Sequence, residues 1–263
     1  AIQGFLAQAA TVDFGDICYT AQVGRSQFAQ RLSVVATSAQ EASSKLTAWL
    51  SQPEQAAAHD VTTGLAEGSP KVALCFGGAD AIGPDWGRAL YATQPVFRQA
   101  IDQCDAAAAA YLARPVAAFL LDEQTPPPQA DVPDRWPYRF AVEYGVAALW
   151  RAWGIDLAGV IGQGVGDYVA ACVAGVFSLA DALKLVTAYS KGGQSSAQSV
   201  TLVAAQLTCA LPRIPLFAGA TGQVLAREVA SATYWAQHRP IPAKAQSSTR
   251  SQAQAALTEA GIH

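Results

Sequence analysis

Leu157-Ala-Gly-Val-Ile161, Gly162-Gln-Gly-Val-Gly166 and the run 167–176 (Asp-Tyr-Val-Ala-Ala-Cys-Val-Ala-Gly-Val) follow one another without a break, and their reading decides the fold. A short apolar run, a glycine-rich turn and a longer apolar run spell strand, tight turn, helix. Ser178 caps a further helix from Leu179 to about Tyr189. Upstream, Phe140–Trp153 reads as a helix with aromatic and aliphatic residues on one side, ended by Gly154. Val72-Ala-Leu-Cys-Phe76, closed by Gly77-Gly78, reads as a buried strand feeding a second glycine turn. Pro95–Leu112 is amphipathic, with Val96, Phe97, Ile101, Cys104 and Tyr111 spaced for one buried face. Helices alternating with short buried strands imply an α/β layer architecture with a mainly parallel sheet.

Two further stretches organise the rest. Ala29-Gln-Arg-Leu-Ser-Val-Val-Ala36 contains a short strand, and Thr37-Ser-Ala-Gln-Glu41 opens a helix through Leu50. Thr37 or Ser38 caps that helix, and Leu46, Trp49 and Leu50 supply its apolar face. Ser51–Pro70 is polar, rich in Ala, Gly and Gln and without periodicity, so it reads as a connector between two units. Thr125–Pro137 holds five prolines in thirteen residues and reads as loop.

Composition narrows the function. Hydrophobic residues make up 51% of the 263 and charged residues 14%, which is globular rather than disordered. A net charge of -3 supplies no basic field for nucleic acid or anionic lipid. The longest apolar runs, such as Val169–Phe177, fall short of the roughly 20 residues of a membrane-spanning helix. No secretory signal opens the chain. Cys18, Cys75, Cys104, Cys172 and Cys209 fit neither a disulfide framework nor a C-x-x-C metal site, and read as reduced thiols of a cytosolic protein. No cofactor or metal is implied. The chain has no methionine and opens in mid-pattern, which implies a piece of a longer polypeptide.

Strand, sharp turn and helix spelling G-x-S-x-G form a nucleophile elbow, in which the turn lifts a serine hydroxyl above the sheet and helix N–H groups face an oxyanion. Here the frame reads Gly162-Gln163-Gly164-Val165-Gly166, with Gly164 at the serine position. Glycine has no side chain to acylate. A bare strand–helix turn and a phosphate-cradling loop use the same glycines. The G-x-G-x-G spacing is not the G-x-G-x-x-G of a dinucleotide fold, and no acidic residue follows a second strand about twenty residues on.

These residues and their flanks resemble the malonyl/methylmalonyl-type acyltransferase domain of modular polyketide synthases. Glu143–Gly154 resembles the helix before that family's elbow, and Asp167–Leu183 the helix pair after it. Pro212-Arg-Ile-Pro-Leu-Phe-Ala-Gly-Ala-Thr-Gly-Gln-Val224 and Tyr234-Trp-Ala-Gln-His238 are similar to the returning segment. Asp16–Arg25 and Phe28–Ala36 are similar to the linker that joins ketosynthase to acyltransferase. The resemblance implies a small α/β linker domain over residues 1–65, then an α/β-hydrolase-like core over 71–263. It also marks departures. The family's G-H-S-x-G-E becomes Gln163, Gly164 and Asp167; its oxyanion glutamine falls at Ala79; its carboxylate-binding arginine falls at Tyr189. A ferredoxin-like small subdomain of roughly 60–70 residues, which carries the histidine base, is missing near 195–211. Asp167 and Tyr189 are expected near the vestigial pocket. His59, His238 and His263 read as solvated or structural residues. Trp150, Trp153 and Trp235 read as core.

The resemblance therefore implies a cytoplasmic, non-catalytic, truncated acyltransferase-like domain with no catalytic residue of its own. Three functions remain open at this point. One is an interaction module for a trans-acting acyltransferase, an acyl carrier protein or a tailoring enzyme. A second is a passive spacer beside the ketosynthase. A third is a residual enzyme using Cys172 or Ser190, which the apolar setting of Cys172 disfavours.

Overall fold

Among the described residues, two β-sheets, of two and four strands, form the chain's strand structure. The computed structural model describes residues 4–6, 12–54, 60–66, 68, 71–77, 84–122, 128, 135–192, 196–219, 221–238 and 258. Contacts separate Ala1–Pro70 from Lys71–His263 as two compact units.

The first unit holds α1 (Phe14–Val23), β1 (Gln30–Val34), α2 (Ala39–Ser51) and β2 (Val61–Leu65). Ser38 caps α2 by accepting the Glu41 N–H at 3.2 Å, while the Glu41 carboxylate accepts the Thr37 N–H at 2.8 Å. Ser38 thus satisfies one donor that the helix start leaves orphaned, and the Glu41 carboxylate ties down the residue that precedes the cap. Leu6, Ala42 and Leu46 form the small core, with Ile17 and Val34 packed against them. Leu50, expected on the buried face of α2, is exposed. The expected connector Ser51–Pro70 contains β2, which pairs antiparallel with β1 from Gln30↔Leu65 to Val34↔Val61. Only Val61 of β2 is buried. Its order comes from the β1 ladder, a non-local interaction with no signature in the local pattern.

The second unit holds β3 (Val72–Phe76), α3 (Pro84–Thr93), α4 (Pro95–Ala108), α5 (Val116–Leu121), α6 (Arg135–Ala152), β4 (Leu157–Gly162), α7 (Val165–Val173), α8 (Leu179–Gly192), α9 (Ser196–Ala204), β5 (Leu216–Ala218), β6 (Val224–Leu225) and α10 (Ala232–Gln237). The strand order is β3-β4-β5-β6. The first two pairings are parallel, the last antiparallel. β4 therefore has a strand on each side, and its last four residues are buried. β3 is an edge strand rather than a buried one, and Cys75 is exposed on it.

Helical packing builds the main core. Phe97 and Ile101 of α4, Phe140 of α6, Tyr168 and Val169 of α7 and Leu183 of α8 are buried within it. Where α4 meets α6, a side chain at Gly145 would press on the Phe97 ring at 2.8 Å. On α4 the expected face holds for Phe97, Ile101 and Cys104, whereas Tyr111 lies beyond the helix end and is exposed. Asp105 accepts the N–H groups of Val116 and Ala117, at 2.6 and 2.9 Å, and so caps α5 from another helix. α6 begins at Arg135 and takes Pro137, expected in loop, into its first turn, where a missing N–H removes no helical bond. At its other end Trp150 and Trp153 are 38% and 59% exposed, against the core position expected for both, while Trp235 is 1% exposed. α9 occupies the stretch expected to carry the scar of a missing block, with Val200 and Ala204 fully buried. Among the described residues no strand lies between α8 and β5. Nor, among those residues, is any helix long and apolar enough to cross a membrane.

Glu143 is a carboxylic acid inside this core. Burial pushes its pKa up to about 7, against the pull of Arg139, whose guanidinium lies 3.4 Å away. A raised carboxyl pKa means that the folded chain binds the proton more tightly than the unfolded one. Stability is therefore complete below about pH 4.5 and is lost as pH climbs toward about 7. We expect urea melts of the native chain to lose on the order of 3 kcal/mol across that window. Glu143→Gln should flatten the profile.

Candidate active-site elbow

β4 ends at Gly162 and α7 begins at Val165, so the chain reverses through Gln163 and Gly164 alone. Gly164 takes φ 64° and ψ −125°, a conformation that strains most residues with a side chain. The Gly166 and Asp167 N–H groups turn back to the carbonyls of Gln163 and Gly164, at 3.0 and 3.2 Å. Two flanking glycines let this turn lie against its neighbours. A Cβ on Gly166 would collide with the backbone of Phe76, and one on Gly162 with the first turn of α7.

A cleft of about 330 Å³ opens above the turn, at the carboxyl ends of β4 and β5. Gly162, Gln163, Gly164 and Asp167 form one wall; Leu216, Phe217, Ala218 and Gly219 form another; Tyr234, Trp235 and His238 close it from α10. Two of the positions singled out from sequence, Gln163 and Gly164, and a third, Asp167, thus meet in one place. Tyr189 does not join them. It lies on α8 with its ring against Trp136, 4.6 Å between centroids, and is not among the lining residues. Ala79, His59 and His263 lie outside the described residues.

His238 is the residue that sequence reading missed. Rather than facing solvent, its Nε2 is 3.1 Å from Asp167 Oδ2. Its ring stacks on Tyr234 at 5.6 Å and stands edge-on to Tyr168 at 5.7 Å. Tyr234 and His238 are four residues apart, and the His238 N–H donates to the Tyr234 carbonyl at 2.8 Å, ending α10. The spacing that aligns the two rings is legible only once a helix is assigned there. Trp235 anchors the same helix by donating its indole N–H to the Val229 carbonyl at 2.8 Å.

Chemically the cleft holds an imidazole–carboxylate pair and a helix start, but no hydroxyl or thiol at the point of the turn. Cys172 does not substitute. Burial pushes its thiol up to about 12, so it carries no thiolate at neutral pH. Ser190 lies on α8 and is not among the lining residues. We expect Gly166→Ala to destabilise the fold by about 3 kcal/mol or more, because backbone, not a movable side chain, opposes the new methyl. His238→Ala and Asp167→Asn should each lower stability by about 1 kcal/mol. Their double mutant should fall short of the sum, as a thermodynamic cycle from thermal melts will read.

Comparison with known proteins places this geometry. Residues 85–221, just over half the chain, match the family described as acyl transferase domain. Residues 1–46 match a family described as CurL-like, PKS C-terminal. Orsellinic acid synthase armB of Armillaria mellea is 32% identical over 185 residues, which is 67% of this chain and 8% of that protein. The spectinabilin polyketide synthase system protein NorA of Streptomyces orinoci is 32% identical over 187 residues, 71% of this chain and 10% of that protein. The chain thus spans about a tenth or less of these relatives' length. In fold it is similar to the acyl transferase domain of ZmaA, with a TM-score of 0.73 and 23% identity, covering 90% of this chain and 72% of that one. The elbow, the sheet beneath it and these matches agree: the chain belongs to the acyl transferase domain family, in the form found in polyketide synthases.

Proposed function

We propose that this chain is a non-catalytic, truncated acyltransferase-like module of a modular polyketide synthase, acting through binding rather than through acyl transfer. Gly164 carries this reading. The elbow keeps its turn, its helix and its cleft, yet the point where an acyl group would attach has no side chain. The vestigial positions are Gly164, Gln163 and Asp167 at the cleft, Tyr189 on α8, and Ala79, which lies outside the described residues.

Its partners in this reading are the other domains of the synthase: the ketosynthase, the acyl carrier protein and a trans-acting acyltransferase or tailoring enzyme. Residues 1–65 serve as the linker to the ketosynthase. The match of residues 1–46 to a polyketide-synthase family supports that role. So do the exposed apolar side chains of this unit, among them Tyr19, Phe28, Val35 and Leu65, with Phe28 74% and Val35 72% exposed. Apolar groups on this scale mark a surface that a neighbour covers. The cytoplasm is the compartment of such an assembly.

Incubation with malonyl-CoA or methylmalonyl-CoA, with and without holo carrier protein, tests the reading by intact mass. The expected result is no acyl adduct on the chain and no carrier loading above the carrier's own rate. An adduct on the chain, or accelerated loading, would overturn it.

A further inference from the structure

We propose that a second pocket, between α8 and α9, is a binding site for a small-molecule phosphate monoester, with Lys184, Thr187 and Lys191 holding the phosphate oxygens. Its described lining residues include none of those at the elbow cleft, so the inference goes beyond the reading of Gly164 and does not depend on it.

Three observations carry it. The first is placement along one helix. Lys184 lies three residues before Thr187 and Lys191 four after it, and residues at these spacings share a helix face. Long, flexible stems let the two ammonium groups converge above one hydroxyl. α9 packs on α8 through the buried Val200 and Ala204, and supplies Val203 and Gln206 as a facing wall. Tyr111, just beyond the end of α4, adds a third side. The space between them is about 280 Å³, close to the roughly 300 Å³ at which small-molecule pockets begin.

The second is a buried hydroxyl. Thr187 is 4% exposed, and its Oγ1 has no hydrogen-bond partner among the described residues. A helical threonine ordinarily turns its hydroxyl to a carbonyl three or four residues earlier. Left unpaired, the group is destabilising unless something in the pocket accepts from it. The third is the donor set. Two ammonium groups, the Thr187 hydroxyl and the Gln206 amide line the space, and no carboxylate does so among the described lining residues. Lys191 donates to the Tyr111 carbonyl, and Lys184 lies 3.4 Å from the Asp181 carboxylate, which offsets part of its charge. Each contact uses one of an ammonium's three donors and steadies the head group with two to spare. Donors in such excess suit a tetrahedral oxyanion, and a dianion gains from both ammonium groups more than a carboxylate does. Tyr111, Ala188 and Val203 leave surface for the organic part of an ester.

Titration calorimetry of the 263-residue chain with phenyl phosphate, inorganic phosphate and benzoate tests the proposal. Ionic strength is held fixed, and a pH of about 8 keeps the phosphate ester dianionic. Phenyl phosphate should bind about tenfold more tightly than benzoate and at least about threefold more tightly than inorganic phosphate. Lys184→Gln and Lys191→Gln should each lose about tenfold in phenyl phosphate affinity. Thr187→Val should lose a similar factor, while the melting temperature of the free chain stays level or rises, because an unpaired polar group is replaced by an apolar one of the same shape. A threonine with a structural role alone would show the reverse, a lower melting temperature with affinity unchanged. That result would overturn the proposal, as would no phenyl phosphate binding at millimolar concentration. Benzoate binding as tightly as phenyl phosphate would overturn the assignment to phosphate, and inorganic phosphate binding as tightly would overturn the assignment to an ester.

Discussion

Backbone lying directly on backbone, at the carboxyl ends of three neighbouring strands, is the constraint on which the second unit depends. Gly77 approaches the Gln163 carbonyl, Gly166 approaches Phe76, and Gly219 approaches the Gly162 carbonyl, each so closely that a Cβ would overlap main-chain atoms. Main chain cannot rotate out of the way as a side chain can, so no small adjustment would admit even alanine. This closeness aims α7 back across the sheet and holds the turn of Gln163 and Gly164 at its edge. The cleft is the space those approaches leave open. Shape at the site therefore rests on main chain rather than on the side chain at the tip, and the elbow holds its form with glycine there.

Polar groups around the elbow divide by solvation. Asp167 and His238, at the cleft wall, satisfy each other. Glu143, on α6 in the core, has one carboxylate oxygen without a hydrogen-bond partner and an arginine 3.4 Å away. An unpaired buried oxygen is destabilising, and protonation is the chain's way of limiting that penalty. The first pair thus faces the cleft, whereas the second group bears on the energetics of the fold.

Strands and helices of the second unit were largely legible because their signals are local. β3, β4 and the helix after Ser178 each announce themselves through apolar runs, glycine turns or a capping hydroxyl, and Asp181 N–H donates to Ser178 Oγ at 3.1 Å as that cap requires. β2 was not legible, because Val61-Thr-Thr-Gly-Leu65 has one buried residue and takes its order from a partner strand. The start of α6 was hidden by Pro137, which reads as a breaker unless its place in a first turn is known. At the site, glycine spacing located the turn, but the approach of His238 to Asp167 spans 71 residues of sequence and lies beyond any pattern. Tyr189 shows the converse: a position aligned with a binding residue by resemblance, yet packed on Trp136 away from the cleft.

The crossover from α8 to β5, in which α9 is the one helix among the described residues, also bears on how such a chain tolerates gain or loss of whole segments. Loop-closure entropy rises only logarithmically with length, so doubling the path between β4 and β5 would change it by roughly 0.6 kcal/mol. The harder demand is on surface. Any segment removed or inserted there must leave the flank of α8 dry, and α9 does this with Val200 and Ala204, both fully buried. Evolution of this crossover is thus governed by wetting rather than by chain length. A stretch of a few turns suffices wherever it can keep water off one helix.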